Sequence, residues 1–203
     1  MPFHKNIIID DCTKIKIWKV IIGENKNIEL DEYDNNLLKL KKKPLSKEHF
    51  LATRKILEHV NPNYKIRYDK AGKPSINSKS NISISHSYNI VAVVFSNNCK
   101  IGLDIQLKNI KILNIQNKFL NKSEKLTSKN QLDIDYLTQI WTAKESIYKA
   151  LGIKGISFSE NIIIKKTSNN KGQGYYINGK EMDKFDLNFF YIDDYVICYA
   201  HQV

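Results

Sequence analysis

Two stretches constrain the fold most: Ile101-Gly102-Leu103-Asp104-Ile105-Gln106, and, about forty residues on, Trp141-Thr142-Ala143-Lys144-Glu145-Ser146-Ile147-Tyr148-Lys149-Ala150-Leu151-Gly152. The first reads as a strand and the second as a helix. On a strand Asp104 and Gln106 point to one face; on a helix Glu145 and Lys149 are one turn apart, with Trp141 a turn before them. Carboxylates from two separate elements can therefore meet at one point. That suits Mg2+, a hard ion that needs only one or two carboxylates and completes its octahedron with water and phosphate oxygens. A nearby lysine suits a pyrophosphate. Each motif alone has a plainer reading. Asp104 is then a surface carboxylate at a strand exit, and Glu145 with Lys149 is a helical ion pair worth about 0.2–0.5 kcal/mol.

The remaining chain alternates between strand and helix signals. Ile15 to Ile22 alternates and stops at Gly23-Glu24-Asn25, predicting a strand and turn. Pro44 and Ser46 open a helix, with Ser46 as N-cap and Phe50, Ile56, Leu57 and Val60 as its apolar stripe, ended by Asn61-Pro62-Asn63. Asp69 to Pro74 is a turn. Ile90 to Phe95 is a continuous apolar strand, joined through Ser96-Asn97-Asn98 to the strand beginning at Ile101. A helix is expected near Ile110 to Phe119 and another from about Ile134 to Leu151, with Leu137, Trp141, Tyr148 and Leu151 on a shared face and Gly152 as its stop. Ile162 to Ile164, Gly174 to Ile177 and Tyr195 to Ala200 read as closing strands. A short echo links Ser87 to Val93 with Asp193 to Tyr199: polar residues, a tyrosine, then a buried strand.

Lysine and arginine exceed aspartate and glutamate by 32 minus 21, a net charge of +11, which favours an anionic partner without choosing among nucleic acid, membrane, phosphorylated cofactor or acidic protein. Lys39 and Lys41 to Lys43 form the one dense basic run, read as a solvated face. Cys12, Cys99 and Cys198 have neither metal-ligand nor redox spacing and read as buried, reduced thiols of a cytoplasmic protein. The first residues, with His4, Lys5 and Asp10 around three isoleucines, lack the apolar core of a signal peptide, and no apolar run reaches the length of a membrane span.

G-x-D-x-(E/Q) followed by W-x-x-K-E-x-x-x-K-x-x-G resembles the 4'-phosphopantetheinyl transferase superfamily, and is most similar to its two-half, Sfp-type branch. Further segments extend the resemblance over residues 45 to 160: Arg54-Lys55-Ile56-Leu57, Gly72-Lys73-Pro74, Ile82-Ser83-Ile84-Ser85-His86-Ser87, and Lys118-Phe119-Leu120 with Glu124. The resemblance implies an α+β fold of two similar α/β halves related by a pseudo-two-fold, with the cofactor cleft between them. The halves divide near Ile101 to Asp104, as 1–102 and 103–203.

The same resemblance implies transfer of 4'-phosphopantetheine from coenzyme A to a serine of an acidic acyl or peptidyl carrier protein, by a cytoplasmic monomer that uses Mg2+ or Mn2+. It implies Asp104, Glu145 and Gln106 as metal ligands and Glu145 with Lys149 as the catalytic pair. Lys73, Ser85 and His86 become phosphate contacts, Arg54 a 3'-phosphate or adenylate contact, and Lys144 either neutralises cofactor charge or faces solvent. A Ser beside a His does not make a nucleophilic triad, since neighbours on a strand face opposite ways. Two rival classes remain: a non-catalytic coenzyme A-binding module, should Gln106 cripple the metal site, and a basic nucleic-acid-binding domain. The latter lacks an RNP aromatic motif, zinc-finger spacing or a basic helix with interleaved aromatics.

Overall fold

The structure is a computed structural model that describes residues 3–24, 28–97, 100–127 and 133–203. Strands β1 (Phe3–Asp10) and β2 (Thr13–Lys19) lead to helices α1 (Glu32–Lys39) and α2 (Pro44–Val60), then the small hairpin β3 (Ile66–Tyr68) and β4 (Pro74–Ile76). Strands β5 (Asn81–Ser87) and β6 (Ile90–Ser96) complete a first sheet in the order β1-β2-β6-β5. The second sheet starts with β7 (Ile101–Leu107). A 3-10 turn (Ile110–Asn114) and helices α3 (Gln116–Phe119), α4 (Lys122–Thr127), α5 (Ile134–Leu151) and α6 (Phe158–Asn161) separate it from its partners. Those are β8 (Ile162–Lys166), β9 (Lys171–Asn178), β10 (Glu181–Ile192) and β11 (Tyr195–Gln202), in the order β7-β11-β10-β9-β8. The ladders within both sheets are antiparallel.

The two sheets pack face to face, each covered outside by one long helix. Alternation along the central strands sets these layers. Val91, Val93 and Phe95 of β6 pack under α2 with Ala52, Ile56 and Leu57. Ile90, Ala92 and Val94 point the other way, to Leu103 and Ile105 of β7 and to Tyr195, Ile197 and Tyr199 of β11. Val196, Cys198 and Ala200 then face Leu137, Ile140, Ala143, Ile147 and Ala150 of α5. A strand buried on both faces has no polar side to show, which is why β6 reads as an unbroken apolar run. The result is an α+β architecture.

The sheets also meet edge to face. Ser83, Ser85 and Ser87 on β5 accept hydrogen bonds from the backbone N–H groups of Leu103 (3.0 Å), Ile105 (3.2 Å) and Leu107 (3.1 Å) on β7. The constant offset of 20 residues means that β5 and β7 run in the same direction. Serine hydroxyls stand here where a neighbouring strand's carbonyls would, and they settle the donors that the outer edge of β7 leaves open.

Several expectations need correction. Helix α2 starts three residues earlier than a Ser46 cap implies: Lys43 is the N-cap and Pro44 takes the first turn, where its missing N–H costs nothing. The helix expected near Ile110 to Phe119 is a 3-10 turn followed by a separate short helix, with Ile115 at the break. On α5 the face toward the core is Leu137, Ile140, Ala143, Ile147 and Ala150, while Trp141 and Leu151 border it and Tyr148 meets the Phe158 ring. Strands β1 and β10 have no counterpart in the sequence reading. Cys198 is buried, but Cys12 is exposed; Cys99 and the Asn98 end of the expected β6–β7 join lie outside the described residues. The basic run is exposed at Lys39, Lys42 and Lys43, whereas Lys41 is half-buried.

Candidate active site

Gly102 decides how α5 meets β7. A Cβ there would lie 1.8 Å from the carbonyl oxygen of Ser146 and 2.8 Å from the amide nitrogen of Ala150, so only glycine lets the helix backbone settle on the strand. Ser146 fixes the approach further by donating to the carbonyl of Cys198 on β11 at 2.8 Å. At the far end Gly152 takes a left-handed φ of 65° and caps the helix through its N–H to the carbonyl of Tyr148. With the helix so placed, residues 145 and 149 come down beside Asp104.

Asp104 is 2% exposed and tightly held. Its Oδ1 accepts from Ser85 Oγ at 2.7 Å and from Lys149 Nζ at 2.7 Å, and its Oδ2 accepts from Gln106 Nε2 at 3.0 Å. Lys149 donates also to Ser85 Oγ (2.9 Å) and to the carbonyl of Leu103 (3.1 Å). The plain reading of Glu145 and Lys149 as a helical ion pair does not hold: the Lys149 ammonium goes to Asp104. Glu145, half-buried, has no hydrogen bond or ion pair among the described residues. Burial first, and the charge of Asp104 second, push its carboxyl up to about 7, against the pull of Lys149. A carboxylate that is desolvated, repelled by a second carboxylate and left unpaired is a site for a cation.

The donor chemistry fits Mg2+. Asp104 keeps an open lone-pair position on Oδ2, both oxygens of Glu145 are free, and the Gln106 carboxamide touches Oδ2 with its amide oxygen still to offer. Among the described residues no group of three or more His, Cys, Asp or Glu gathers as a metal cage.

Beside this point lie two adjoining cavities that share Gly72, Pro74 and Ile84. One, about 170 Å³, is lined by Lys73, Tyr148, Lys149, Gly152 and Lys154. The other, about 250 Å³, is lined by Lys41, His49, Arg54, Tyr68 and His86. Lys73 reaches across from the first sheet's side to the carbonyl of Ala150 at 2.9 Å, and burial lowers its pKa. His86 stacks on His49, ring centroids 4.3 Å apart. Burial, then His49 and Lys149, take the His86 imidazole down to about 4, although one side of the residue stays open to solvent. A neutral, stacked pair of rings next to Lys41 and Lys73 can accept an anion, whose charge would favour protonation of His86.

Three of the expected contacts are placed differently. Lys144 is 0% exposed, its ammonium shared among the carbonyls of Phe119 (2.7 Å), Phe158 (2.8 Å) and Ile162 (2.7 Å) and Glu124 (2.8 Å). It neither faces solvent nor reaches the cleft. Glu124 completes the cluster by accepting from the N–H groups of Asn121 and Ile164, so the K-F-L-x-x-x-E segment and the lysine of W-x-x-K-E meet as a closed structural network. Ser85 is 5% exposed, and its one donor and two acceptor positions are all used by Asp104, Ile105 and Lys149. It has nothing left for a cofactor. Arg54 lines a cavity but is paired with Asp34 through Nε (3.0 Å) and one terminal nitrogen (2.6 Å), lies on the Phe50 ring and donates to Tyr68. A phosphate there has to compete with Asp34.

His49, Tyr68 and Asp34 carry no signature in the sequence, and Lys41 reads there only as part of a solvated basic run. His49 and Arg54 share α2, but a histidine five residues before an arginine carries no chemical signature without the cavity beside them.

The family model described as the 4'-phosphopantetheinyl transferase superfamily matches residues 100–200, which takes in β7, α5 and every strand of the second sheet. The chain belongs to that superfamily. Its members transfer phosphopantetheine, with coenzyme A as the donor and carrier proteins as acceptors. No curated protein matches the chain. Among the described residues no helix is long and apolar enough to cross a membrane.

Proposed function

We propose that this chain is an Sfp-type 4'-phosphopantetheinyl transferase. In this reading it moves the group from coenzyme A to a serine hydroxyl of an apo acyl or peptidyl carrier protein and releases 3',5'-ADP. The observation that carries the reading is an unpaired Glu145 close enough to feel the charge of Asp104, with Lys149, the partner of Asp104, lining one of two adjoining cavities to which Lys73 and His86 also contribute. Asp104 and Glu145, with the amide oxygen of Gln106, would hold Mg2+, which when bound withdraws charge from the pyrophosphate. Glu145, half-desolvated and with a carboxyl near neutrality, accepts the proton of the carrier serine as that oxygen bonds to the phosphorus. The bond from that phosphorus to the oxygen of 3',5'-ADP breaks, and the departing phosphate leaves beside the Lys73 ammonium, with Lys149, whose three N–H groups are held by Ser85, Leu103 and Asp104, adding its charge. No nucleophile of the chain's own is needed.

The notion of two related halves, 1–102 and 103–203, belongs to the same proposal. It is supported by the placing of α2 and α5 on the outer faces of their sheets, and by the β5–β6 and β10–β11 hairpins, whose two-residue turns both start with a left-handed residue, Tyr88 and Asp193. The net charge of +11 supports an acidic carrier, met by complementary fields. A cytoplasmic monomer is the accompanying expectation.

Incubation with coenzyme A, Mg2+ and an apo carrier, followed by the mass of the carrier, tests the reading. A phosphopantetheine adduct is the expected result. Coenzyme A binding without an adduct on any apo carrier would instead make the chain a binding module.

A further inference from the structure

We propose that Ser85 is a positioning residue of the reaction: a hydroxyl of the first sheet that orients the Asp104 carboxylate and the Lys149 ammonium of the second. This inference rests on the transferase reading and adds to it a residue that acts through two others.

Strand β5 carries the pattern Asn81-Ile82-Ser83-Ile84-Ser85-His86-Ser87. Alternation with isoleucine would normally send the serines to water. Here Ser83 and Ser85 are buried, 4% and 5% exposed, because Ile82 and Ile84 take the α2 side and the serines face the edge of β7. Each of the three serines accepts one backbone N–H of β7, so each is a rung between the sheets. Ser85 alone does more. Having accepted from Ile105, it accepts also from Lys149 and donates its proton to Asp104 Oδ1.

Two consequences follow from that hydrogen-bond count. Its donation fixes which oxygen of Asp104 is tied down, leaving Oδ2 as the side turned to Gln106 and open to a cation. Its acceptance holds the Lys149 ammonium against Asp104 and the Leu103 carbonyl rather than Glu145, the one carboxylate that must stay free to take a proton. Remove the hydroxyl and Asp104 Oδ1 loses a charge-assisted bond, Lys149 loses one of its three anchors, and the carboxylate can turn. Lys73 and His86, which hold to the Ala150 carbonyl and the His49 ring, make no hydrogen bond to Ser85 and keep their places.

The test compares Ser85→Ala with Ser83→Ala, which removes the neighbouring rung without touching Asp104. With wild-type protein transferring the group, Ser85→Ala is expected to lower kcat about 10- to 100-fold, the scale of a lost hydrogen bond to a charged group, and to change the Kd for coenzyme A less than about threefold. Ser83→Ala should lose comparable thermal stability and keep kcat within about threefold, since it costs a similar buried N–H partner. Ser85→Cys, which keeps the volume and weakens each bond, should fall between wild type and Ser85→Ala, and carries the test if the alanine variant does not fold. Calorimetric titration of Mg2+ in the presence of coenzyme A gives a readout independent of turnover, and there the Ser85 variants should bind the ion more weakly.

A loss of coenzyme A affinity with kcat intact at saturation would overturn the inference and make Ser85 a cofactor contact. Equal losses of kcat in Ser83→Ala and Ser85→Ala would overturn it too, as a purely structural rung. If wild type itself transfers nothing, the transferase reading fails. The metal titration still judges Ser85, and unchanged Mg2+ affinity in its variants would sink the positioning role as well.

Discussion

The two lysines of helix α5 each pair with a carboxylate, and the two pairs have opposite characters. Under the helix, Lys144 and Glu124 are sealed in: every donor and acceptor has a partner, and neither side chain meets water. Toward the cleft, Lys149 and Asp104 form a pair of similar length, 2.7 against 2.8 Å, with the lysine partly in solvent and the neighbouring Glu145 left without a partner. The first network is complete and can only hold the fold together. The second is incomplete, and in the proposed reading its missing partner is a cation. Contact distance says nothing about which is which; the count of unfilled positions does.

The largest expected effect falls on the open network. Glu145→Gln should reduce transfer about 10²- to 10⁴-fold, the range for loss of a general base, with the fold retained. Carrier mass against time measures it, and near-normal turnover would remove Glu145 from the chemistry. On the closed network the effect is on stability instead. Lys144→Met leaves Glu124 buried and uncompensated, at a cost of about 3–5 kcal/mol in denaturant unfolding. If Lys144→Met proved neutral, the sealed pair would not be holding anything, and the contrast would collapse.

Smaller changes are expected in the cleft. Lys73→Ala and His86→Ala should each weaken coenzyme A binding about tenfold, roughly 1.4 kcal/mol, and leave kcat at saturation nearly unchanged, as for contacts made equally in ground and transition states. Calorimetry with coenzyme A alone reads the first part and saturation kinetics the second.

The subtlest effect is on stability against pH. The Glu145 carboxyl stands at about 7 in the folded chain against an ordinary 4.5, so its protonated form is the comfortable one. Its contribution to stability is fully present below pH 4.5 and is lost as pH rises through 7. Without metal or cofactor, Glu145→Gln should therefore raise Tm at pH 8 and leave it unchanged at pH 4.5. His86 has the opposite sign. Its pKa of about 4, against 6.5, gives stability that is present above pH 6.5 and lost as pH falls toward 4. A Tm gain for Glu145→Gln that does not grow with pH would show that Glu145 is neither desolvated nor repelled.

Much of this was legible in the sequence where one local rule dominated. The bounds of α5, the glycine at its end and the strand at Ile101 follow from periodicity and capping, and the approach of Asp104 and Glu145 follows from motifs on those two elements. What was not legible depended on who the neighbour is. Lys144 and Lys149 are both lysines of one helix, and nothing in their local sequence says that one lies beneath it against Glu124 while the other crosses to Asp104. Ser85 has the composition of a phosphate contact, and only the edge of β7 reveals that its hydroxyl is already used. Strand β10 carries a legible signal in the alternation Phe185-Asp186-Leu187-Asn188-Phe189, whose apolar residues are buried in the second sheet's core, although the sequence reading has no strand there.

The serine rungs also restrict which substitutions this strand can accept. A backbone ladder is indifferent to side-chain identity, because every residue but proline carries the same N–H and C=O. Where β5 meets β7, the acceptors are side chains instead, so an ordinary apolar replacement at Ser83, Ser85 or Ser87, harmless to most strands, strips a β7 amide of its partner. Such an orphan costs about 1–3 kcal/mol when buried. The seam between β5 and β7 is thus written into three codons rather than into the main chain, and a single nucleotide change can loosen it.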